Sequence, residues 1–519
     1  MNARTISIFK LAGLVLAALL FLILLNWNGM NAPLGRDQGA YSYSAWLLRQ
    51  NIAPYTHSFE HKPPMIIYTY ALAQLIDENA NWPPRLLAAL FTLAAAALIG
   101  LIARKEAGNA AGAIAVFLFI RMMVLPHLWG FGANTEVFMV LPLTGVLGLY
   151  ILKGPKSGWR TWVAAGMLAS SSIFYKPIAI PSLILIFLIW AIDSWRARRE
   201  TGSIVCNILA AAAGSLLASL LILGYFLIND GGRAFWEQAV VFNQYYAGLN
   251  YGLAWDSFRS SISSLLNEWW ILFLLPVPFL IKRPSRWWLY TVLLLIAFAT
   301  SFQDLNGSYY MLAVPFWSLI AAMGIIAITG LKFFDKYRIW ANLFLAAVVL
   351  IILLIPIREQ LSLSPDRFSL LAYGRANPFL ESPLVADKLR ALTGPNDHVF
   401  VAGSEAQILY YAKRKSSTRF ISMYPLMIGT PLAAKYQAET VKELEKDPPK
   451  AIVLANSPYS WLVWNGSPRI LLPYLNKLLV ARYSLVGGFI VDRDFGFWQD
   501  APVDPRLLNY SSLLLFKRK

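Results

Sequence analysis

Eleven stretches of largely apolar sequence set the reading of this chain. They fall near residues 8–28, 84–103, 109–126, 136–152, 160–175, 177–194, 204–228, 268–281, 286–302, 310–331 and 339–357. A helix needs about 20 such residues to cross about 30 Å of hydrocarbon, so the pattern predicts a polytopic α-helical membrane protein. The connections are short except at 29–83 and 229–267, both rich in Tyr, Trp and Phe. Aromatic side chains of this kind settle at headgroup level. These two segments therefore read as interfacial helices, serving as anchors, as a platform for a sugar, or as both.

From about residue 358 the long apolar runs stop and the pattern becomes mixed. Ser382-Pro383 has the form of an N-cap with proline at the first helical position, opening a helix to about Leu392. His398 to Val401 and Ala451 to Ala455 are short β-branched runs suited to buried strands, with helical stretches near 405–413 and 432–446 between them. The expected organisation is a membrane domain over 1–357 and an α/β domain over 358–519, which is long enough for its own core. No internal repeat or low-complexity segment is seen.

Composition agrees with the pattern. Of 519 residues, 57% are hydrophobic and 14% charged, with a mean hydropathy of +0.52, which excludes an ordinary soluble chain and a disordered one. A net charge of +17 invites a nucleic-acid reading, but its distribution argues against one. Basic residues cluster in short connections: Arg4 and Lys10; Arg104 and Lys105; Lys153, Lys156 and Arg160; Arg196, Arg198 and Arg199; Lys282, Arg283 and Arg286; Lys332, Lys336 and Arg338. The much longer segments on the other side hold only Arg36, Arg49, Lys62, Lys176, Arg233 and Arg259, with Arg85 at a boundary. This bias places the N-terminus in the cytoplasm, and an odd number of spans then places the tail outside a plasma (inner) membrane. The first apolar segment reads as a retained anchor rather than a cleaved signal. A single cysteine, Cys206, excludes an internal disulfide or CxxC site, and His57, His61, His127 and His398 lack zinc-hydrolase spacing.

Candidate chemistry gathers in the first long outer segment. Asp37 precedes a helix-like run from Gly39 to Leu48, where it reads either as an N-cap or as a carboxylate kept ionised by nearby N–H groups and able to take a proton from a hydroxyl. Lys62 precedes Pro63 and Pro64, whose sterics hold it extended. A fixed ammonium at headgroup level suits a phosphate, or snorkels to lipid phosphates. Glu60 and His61 stand beside it without an assigned role. Glu136, in Gly132-Ala133-Asn134-Thr135-Glu136, and Lys176, in Tyr175-Lys176-Pro177, fall on the same expected side, and a cavity of carboxylates and lysines there suits a substrate with a phosphate head and a lipid tail. Arg121, inside an apolar run, reads as a structural partner of an outer acid.

The run Arg36-Asp37-Gln38-Gly39, then Pro54-Tyr55, His61-Lys62-Pro63-Pro64 and Arg85-Leu86, resembles the GT-C membrane glycosyltransferases. The similarity is to the protein O-mannosyltransferase-like enzymes and the lipid A aminoarabinose transferases. Asn134-Thr135-Glu136, Lys176-Pro177 and Gly307-Ser308-Tyr309-Tyr310 resemble later landmarks, and the tail from Val399 resembles the soluble domain of bacterial members more loosely. The resemblance implies transfer of a sugar from a polyprenyl-phosphate carrier to an acceptor hydroxyl, with inversion. It makes Asp37 the base or acceptor-orienting acid, Lys62 the donor-phosphate ligand, Glu136 a second acid near donor or cation, and Lys176 and Arg85 supporting phosphate contacts. Arg36, Glu60, His61 and Tyr309 fall in supporting positions. The implied partners are the lipid-linked donor, membrane lipids and an acceptor on a glycan, lipid or protein, with no nucleic acid. Gln38 stands where many relatives have an acid, and Ser308 where relatives often have His. The need for a divalent cation is left open.

Two other readings compete. A flippase or transporter for a lipid-linked sugar would carry helix-breaking or charged elements near mid-membrane in both halves, often with a repeat, whereas here the charges sit on one side. A lipid-linked glycan ligase would share the donor chemistry but carry a longer glycan.

Overall fold

The computed structural model describes residues 3–124, 132–198, 201–249, 254–301, 307–492 and 495–519. Outside these lie His127, Arg199, residues 250–253 of the second long segment, and the expected span ends at 126 and 302. The chain packs into two compact units. One comprises Met1–Met30, Arg85–Leu223 and Gly252–Leu363, and the other Asn31–Pro84, Gly224–Tyr251 and Ser364–Lys519.

The first unit is helical. Among the described residues seven helices are long and apolar enough to cross a membrane, and the apolar helices Trp287–Ser301 and Val314–Thr329 are shorter. The longest, Trp82–Met123, is broken at Ala107 and Gly108. Gly108 has φ +88°, a conformation open to glycine at no steric cost, and the break separates the two stretches expected at 84–103 and 109–126. The described residues of the eleven expected spans are mainly helical, but 268–281 and 310–331 are each interrupted by a turn, at Leu275 and Ala313, and the Trp159–Tyr175 helix at 160–175 falls in neither the long nor the shorter group.

Close packing fixes the arrangement within this unit. Gly166 on the Trp159–Tyr175 helix faces the Ala211 carbonyl, where an added Cβ would lie 2.0 Å away, and Gly214 meets the Val163 carbonyl in the same manner at 2.2 Å. Two helices approach this closely only through small residues. The Thr135–Lys153 helix is enclosed almost all round, as a helix apolar on every face must be. Arg121 is fully buried, and the negative charge of Glu268 acts on it, as expected of a structural arginine partnered by an acid. Its guanidinium donates to the carbonyls of Val124 (3.2 Å) and Leu353 (2.9 Å from Nε), satisfying a helix-end carbonyl that would otherwise be stranded.

The second unit is built on a six-stranded sheet: β1 (His398–Ala402), β2 (Lys415–Ser416), β3 (Ala451–Ala455), β4 (Tyr483–Asp492), β5 (Phe495–Asp500) and β6 (Ser511–Arg518). Their order is β2-β1-β3-β6-β4-β5, parallel from β2 to β3 and antiparallel beyond. Both faces are covered, which explains why β1 and β3 read as unbroken apolar runs. Val399, Val401, Ala451 and Val453 pack with Tyr43, Trp46, Leu47, Leu389 and Leu409. Phe400, Ala402 and Ile452 face the other way, toward Phe59, Phe242, Phe420 and Tyr436. Side-chain alternation along a strand thus clamps the sheet between the first long segment and the tail helices on one side, and aromatics of both long segments on the other.

The helix at Ser382–Leu392 forms as expected, but its N-cap is Glu381, and Ser382 is its first residue, donating to the Pro378 carbonyl at 2.6 Å. The helix Leu432–Lys446 and strand β3 match their expected limits.

Candidate active site

The second unit holds Asp37, Glu60, His61 and Lys62. The helix carrying Asp37 runs from Arg36 to Arg49, beginning three residues before the expected Gly39, and its N-cap is Gly35 in extended conformation. Asp37 is therefore the second helical residue and not the cap. Its carboxylate is half-buried and makes no hydrogen bond or ion pair with a described residue, while it lies in the first turn where the helix dipole favours negative charge. Arg36 beside it is committed elsewhere, pairing with buried Glu405 at 3.0 Å.

A network holds residues 55–62 in place. Tyr55, buried at φ +66°, donates from its hydroxyl to the Lys62 carbonyl at 2.7 Å. Gln238 donates to the Tyr55 carbonyl at 2.6 Å and accepts from the Glu60 backbone N–H at 2.9 Å, so one amide spans both ends of the segment. Asn243 donates to the His61 carbonyl at 2.7 Å. The Glu60 side chain accepts from the Lys62 backbone N–H at 3.0 Å, and His61 Nε2 lies 2.6 Å from Lys62 Nζ. Because an ammonium can only donate, that contact makes Nε2 the acceptor. The His61 ring also stands against Phe242, Tyr246 and Tyr424, with centroids 5.7–6.0 Å apart.

Glu60 is 4% exposed. Burial pushes its carboxyl up to about 7, against the charge and backbone N–H of Lys62, which pull it down, and with the negative charge of Asp37 raising it further. A carboxyl that changes state near neutrality, flanked by a lysine and a second carboxylate, is suited to accepting or releasing a proton.

The first unit brings together Glu136, Lys176, Ser308 and Tyr309. Glu136 occupies the first turn of the Thr135–Lys153 helix, and Lys176 lies between the Trp159–Tyr175 helix and the 3₁₀ turn Pro177–Ala179. Both are buried. The Lys176 ammonium donates to Glu136 Oε1 and lies 3.2 Å from the centre of the Tyr309 ring. Ser308 donates to the same carboxylate oxygen at 3.1 Å, and Thr135 to the other at 3.0 Å. Arg85 is buried, and its guanidinium donates to the Met30 carbonyl at 2.9 Å. Among the described residues no three or more His, Cys, Asp or Glu side chains group to hold a metal ion.

Sequence reasoning did not reach Gln238 and Asn243. Both lie in the aromatic stretch of the second long segment, and nothing in their local pattern marks them as the frame of residues 55–62. Gln238 lies within a widened π-helical turn, Trp236–Val241, of the kind often found at functional sites.

Residues 61–223 match the family model described as dolichyl-phosphate-mannose-protein mannosyltransferase. That stretch contains His61, Lys62, Arg85, Glu136 and Lys176 and leaves out Asp37. No curated protein matches the chain in sequence. In structure it is similar to ArnT from Cupriavidus metallidurans bound to undecaprenyl phosphate, with a TM-score of 0.58 and 13% identity over 98% of this chain and 97% of that one. It is also similar to the archaeal oligosaccharyltransferase AglB from Archaeoglobus fulgidus in complex with an inhibitory peptide and a dolichol-phosphate, with a TM-score of 0.52 and 14% identity over 95% of this chain and 74% of that one. A further structure of the Archaeoglobus fulgidus oligosaccharyltransferase, tethered to an acceptor peptide, matches with a TM-score of 0.54 and 15% identity over 96% and 74%. At these identities the likeness is one of fold: a polytopic GT-C architecture with a C-terminal α/β domain.

Proposed function

We propose that this multi-pass membrane protein is a glycosyltransferase that moves a monosaccharide from a polyprenyl-phosphate donor to an acceptor hydroxyl on the outer face of the membrane, inverting the anomeric centre. The observation that carries the reading is the electrostatic grouping of Asp37, Glu60 and Lys62 in one unit: both the Asp37 carboxylate and the Lys62 ammonium act on the buried Glu60 carboxyl. The family-model match and the lipid phosphates named with the structural neighbours point to the same donor class. The loop bias of basic residues supports a cytoplasmic N-terminus and an extracytoplasmic tail.

In this reaction the acceptor oxygen attacks the anomeric carbon opposite the phosphate. The bond from that carbon to the phosphate oxygen breaks with its electron pair, releasing polyprenyl phosphate, and Asp37 takes the hydroxyl proton. Lys62 meets the charge that grows on the phosphate, the kind of fixed electrostatic help that favours a transition state. Glu60 holds Lys62 by its backbone and tunes the local charge.

Purified protein given a polyprenyl-phosphate monosaccharide and a panel of acceptor hydroxyls tests the reading. Release of polyprenyl phosphate that depends on acceptor is expected from the wild type and is expected to be lost in Asp37→Asn and Lys62→Ala, with insertion intact. Wild-type turnover in both variants sinks the site assignment, and donor carried across the bilayer without cleavage favours the transporter instead.

A further inference from the structure

The residues on either side of Asp37 are each tied to the C-terminal domain. Leu34 donates its backbone N–H to the Tyr411 hydroxyl at 2.9 Å. The Arg36 guanidinium donates to the Ser404 carbonyl at 3.1 Å, to Asn377 Oδ1 at 3.1 Å and to Glu405 Oε1 at 3.0 Å. Gln38 donates to the Tyr373 hydroxyl at 2.9 Å. Gly39 lies so close to the tail that an added Cβ would sit 2.5 Å from the backbone nitrogen of Gln407. Asp37, between these ties, makes none.

The receiving end is itself fixed. Ser404 and Glu405 are the second and third residues after β1, at the end of a parallel strand where α/β folds commonly place functional groups. Glu405 is fully buried, and its second oxygen accepts from Gln407 at 2.6 Å, while Gln407 also donates to Ser382 at 3.0 Å. Ser404 is held by Ser460 through its backbone N–H and its hydroxyl, at 2.8 and 2.6 Å, and accepts from the Met423 N–H at 3.0 Å. Asn377 donates to the Tyr373 carbonyl at 2.6 Å. A charged guanidinium gripped at three acceptors, one a buried carboxylate, is far stiffer than a surface pair.

We infer that Glu405 is a positioning residue for the transfer reaction: through Arg36 it sets the start of the Arg36–Arg49 helix and hence the placement of the Asp37 carboxylate, so that the C-terminal domain is part of the catalytic apparatus. The inference rests on the reading of Asp37 as the base. A displacement of about 1 Å at a reacting group is enough for about a hundredfold loss of rate, and the Arg36 grip is the contact that removes such freedom.

The test uses full-length Glu405→Gln and Glu405→Asp in detergent or nanodisc, with Asn377→Ala as a milder variant should Glu405→Gln unfold. Steady-state transfer is expected to show kcat lowered by about 10- to 100-fold in Glu405→Gln, donor KM within twofold because Lys62 is untouched, and partial recovery in Glu405→Asp, which keeps the charge. Hydrogen exchange, read without any turnover, is expected to rise at residues 36–41 while strands β1 and β3 stay protected. Unchanged exchange at 36–41, or faster exchange with unchanged kcat, overturns the inference. Equal loss of protection across the sheet in all three variants also overturns it, since Glu405 would then be only a fold residue. A wild type that fails to cleave the donor removes the transfer reading, and the exchange arm still decides whether Glu405 anchors the helix.

Discussion

Replacing Glu60 with glutamine is expected to change how stability depends on pH in a direction the structure dictates. The native carboxyl titrates at about 7 against an ordinary 4.5, worth about 3 kcal/mol at 1.36 kcal/mol per tenfold change in proton affinity. Between those two values the unfolded chain has released the proton and the native one retains it, so native stability falls as pH rises from about 4.5 to about 7 and levels off above. A glutamine side chain cannot ionise, yet its amide oxygen still accepts from the Lys62 N–H. Relative to wild type, the variant is expected to gain up to about 3 kcal/mol on going from pH 4.5 to pH 8. For a unit of about 240 residues unfolding cooperatively, that is about 6–12 °C in Tm at about 2–4 °C per kcal/mol. Glu443 is also raised to about 7, by burial first and Glu439 next, and adds a dependence of the same sign. The difference between wild type and Glu60→Gln is therefore the quantity to follow, by tryptophan fluorescence melts of detergent-solubilised protein. Parallel Tm profiles for the two proteins from pH 5 to 8 would refute the reasoning.

Three further expectations follow from the packing. Lys176→Met leaves the buried Glu136 carboxylate without its ammonium and should cost about 3–5 kcal/mol, whereas the double change Lys176→Met with Glu136→Gln should recover most of it; equal melting of single and double variants contradicts the pairing. Gly166→Val drives a branched side chain against the Ala211 carbonyl, 2.0 Å from the new Cβ, and should lower Tm in detergent by more than the about 1–3 kcal/mol of ordinary overpacking, an idea that fails if Tm is unchanged. Gln238→Ala strands the Tyr55 carbonyl and the Glu60 N–H at about 1–3 kcal/mol each. It should raise hydrogen exchange across 55–62 and the donor KM, and unaltered exchange there would show that the amide is not the frame.

The parts legible in advance are those whose signal is local. The apolar runs marked the spans because exclusion from water acts on each helix separately, and the break between two of them sits at Gly108, beside Arg104 and Lys105. The helix at 432–446 was legible as a helical stretch, and the strands expected at 398–401 and 451–455 as short β-branched runs, the first of them ending one residue later at Ala402. Strands β4 and β5 did not: Gly487 and Gly488 interrupt β4 because Gln499, Trp498 and Leu514 press against them, a cross-strand demand that weakens the strand's own pattern. The grip of Glu405 on Arg36 joins residues 369 positions apart. The bond from Gln238 to Tyr55 spans 183.

Residue order alone determined that this chain lives in a bilayer, that an acid and a lysine flank the aromatic first long segment, and that an α/β tail follows. Only the tertiary structure decided that residues 31–84, residues 224–251 and the tail share one core, that Asp37 is a helical residue with its cap at Gly35, and that Glu60 titrates near neutrality. The reason is physical: hydropathy and capping are properties of a few neighbouring residues, whereas burial of a carboxyl and the partners of an arginine depend on which distant segments exclude water together.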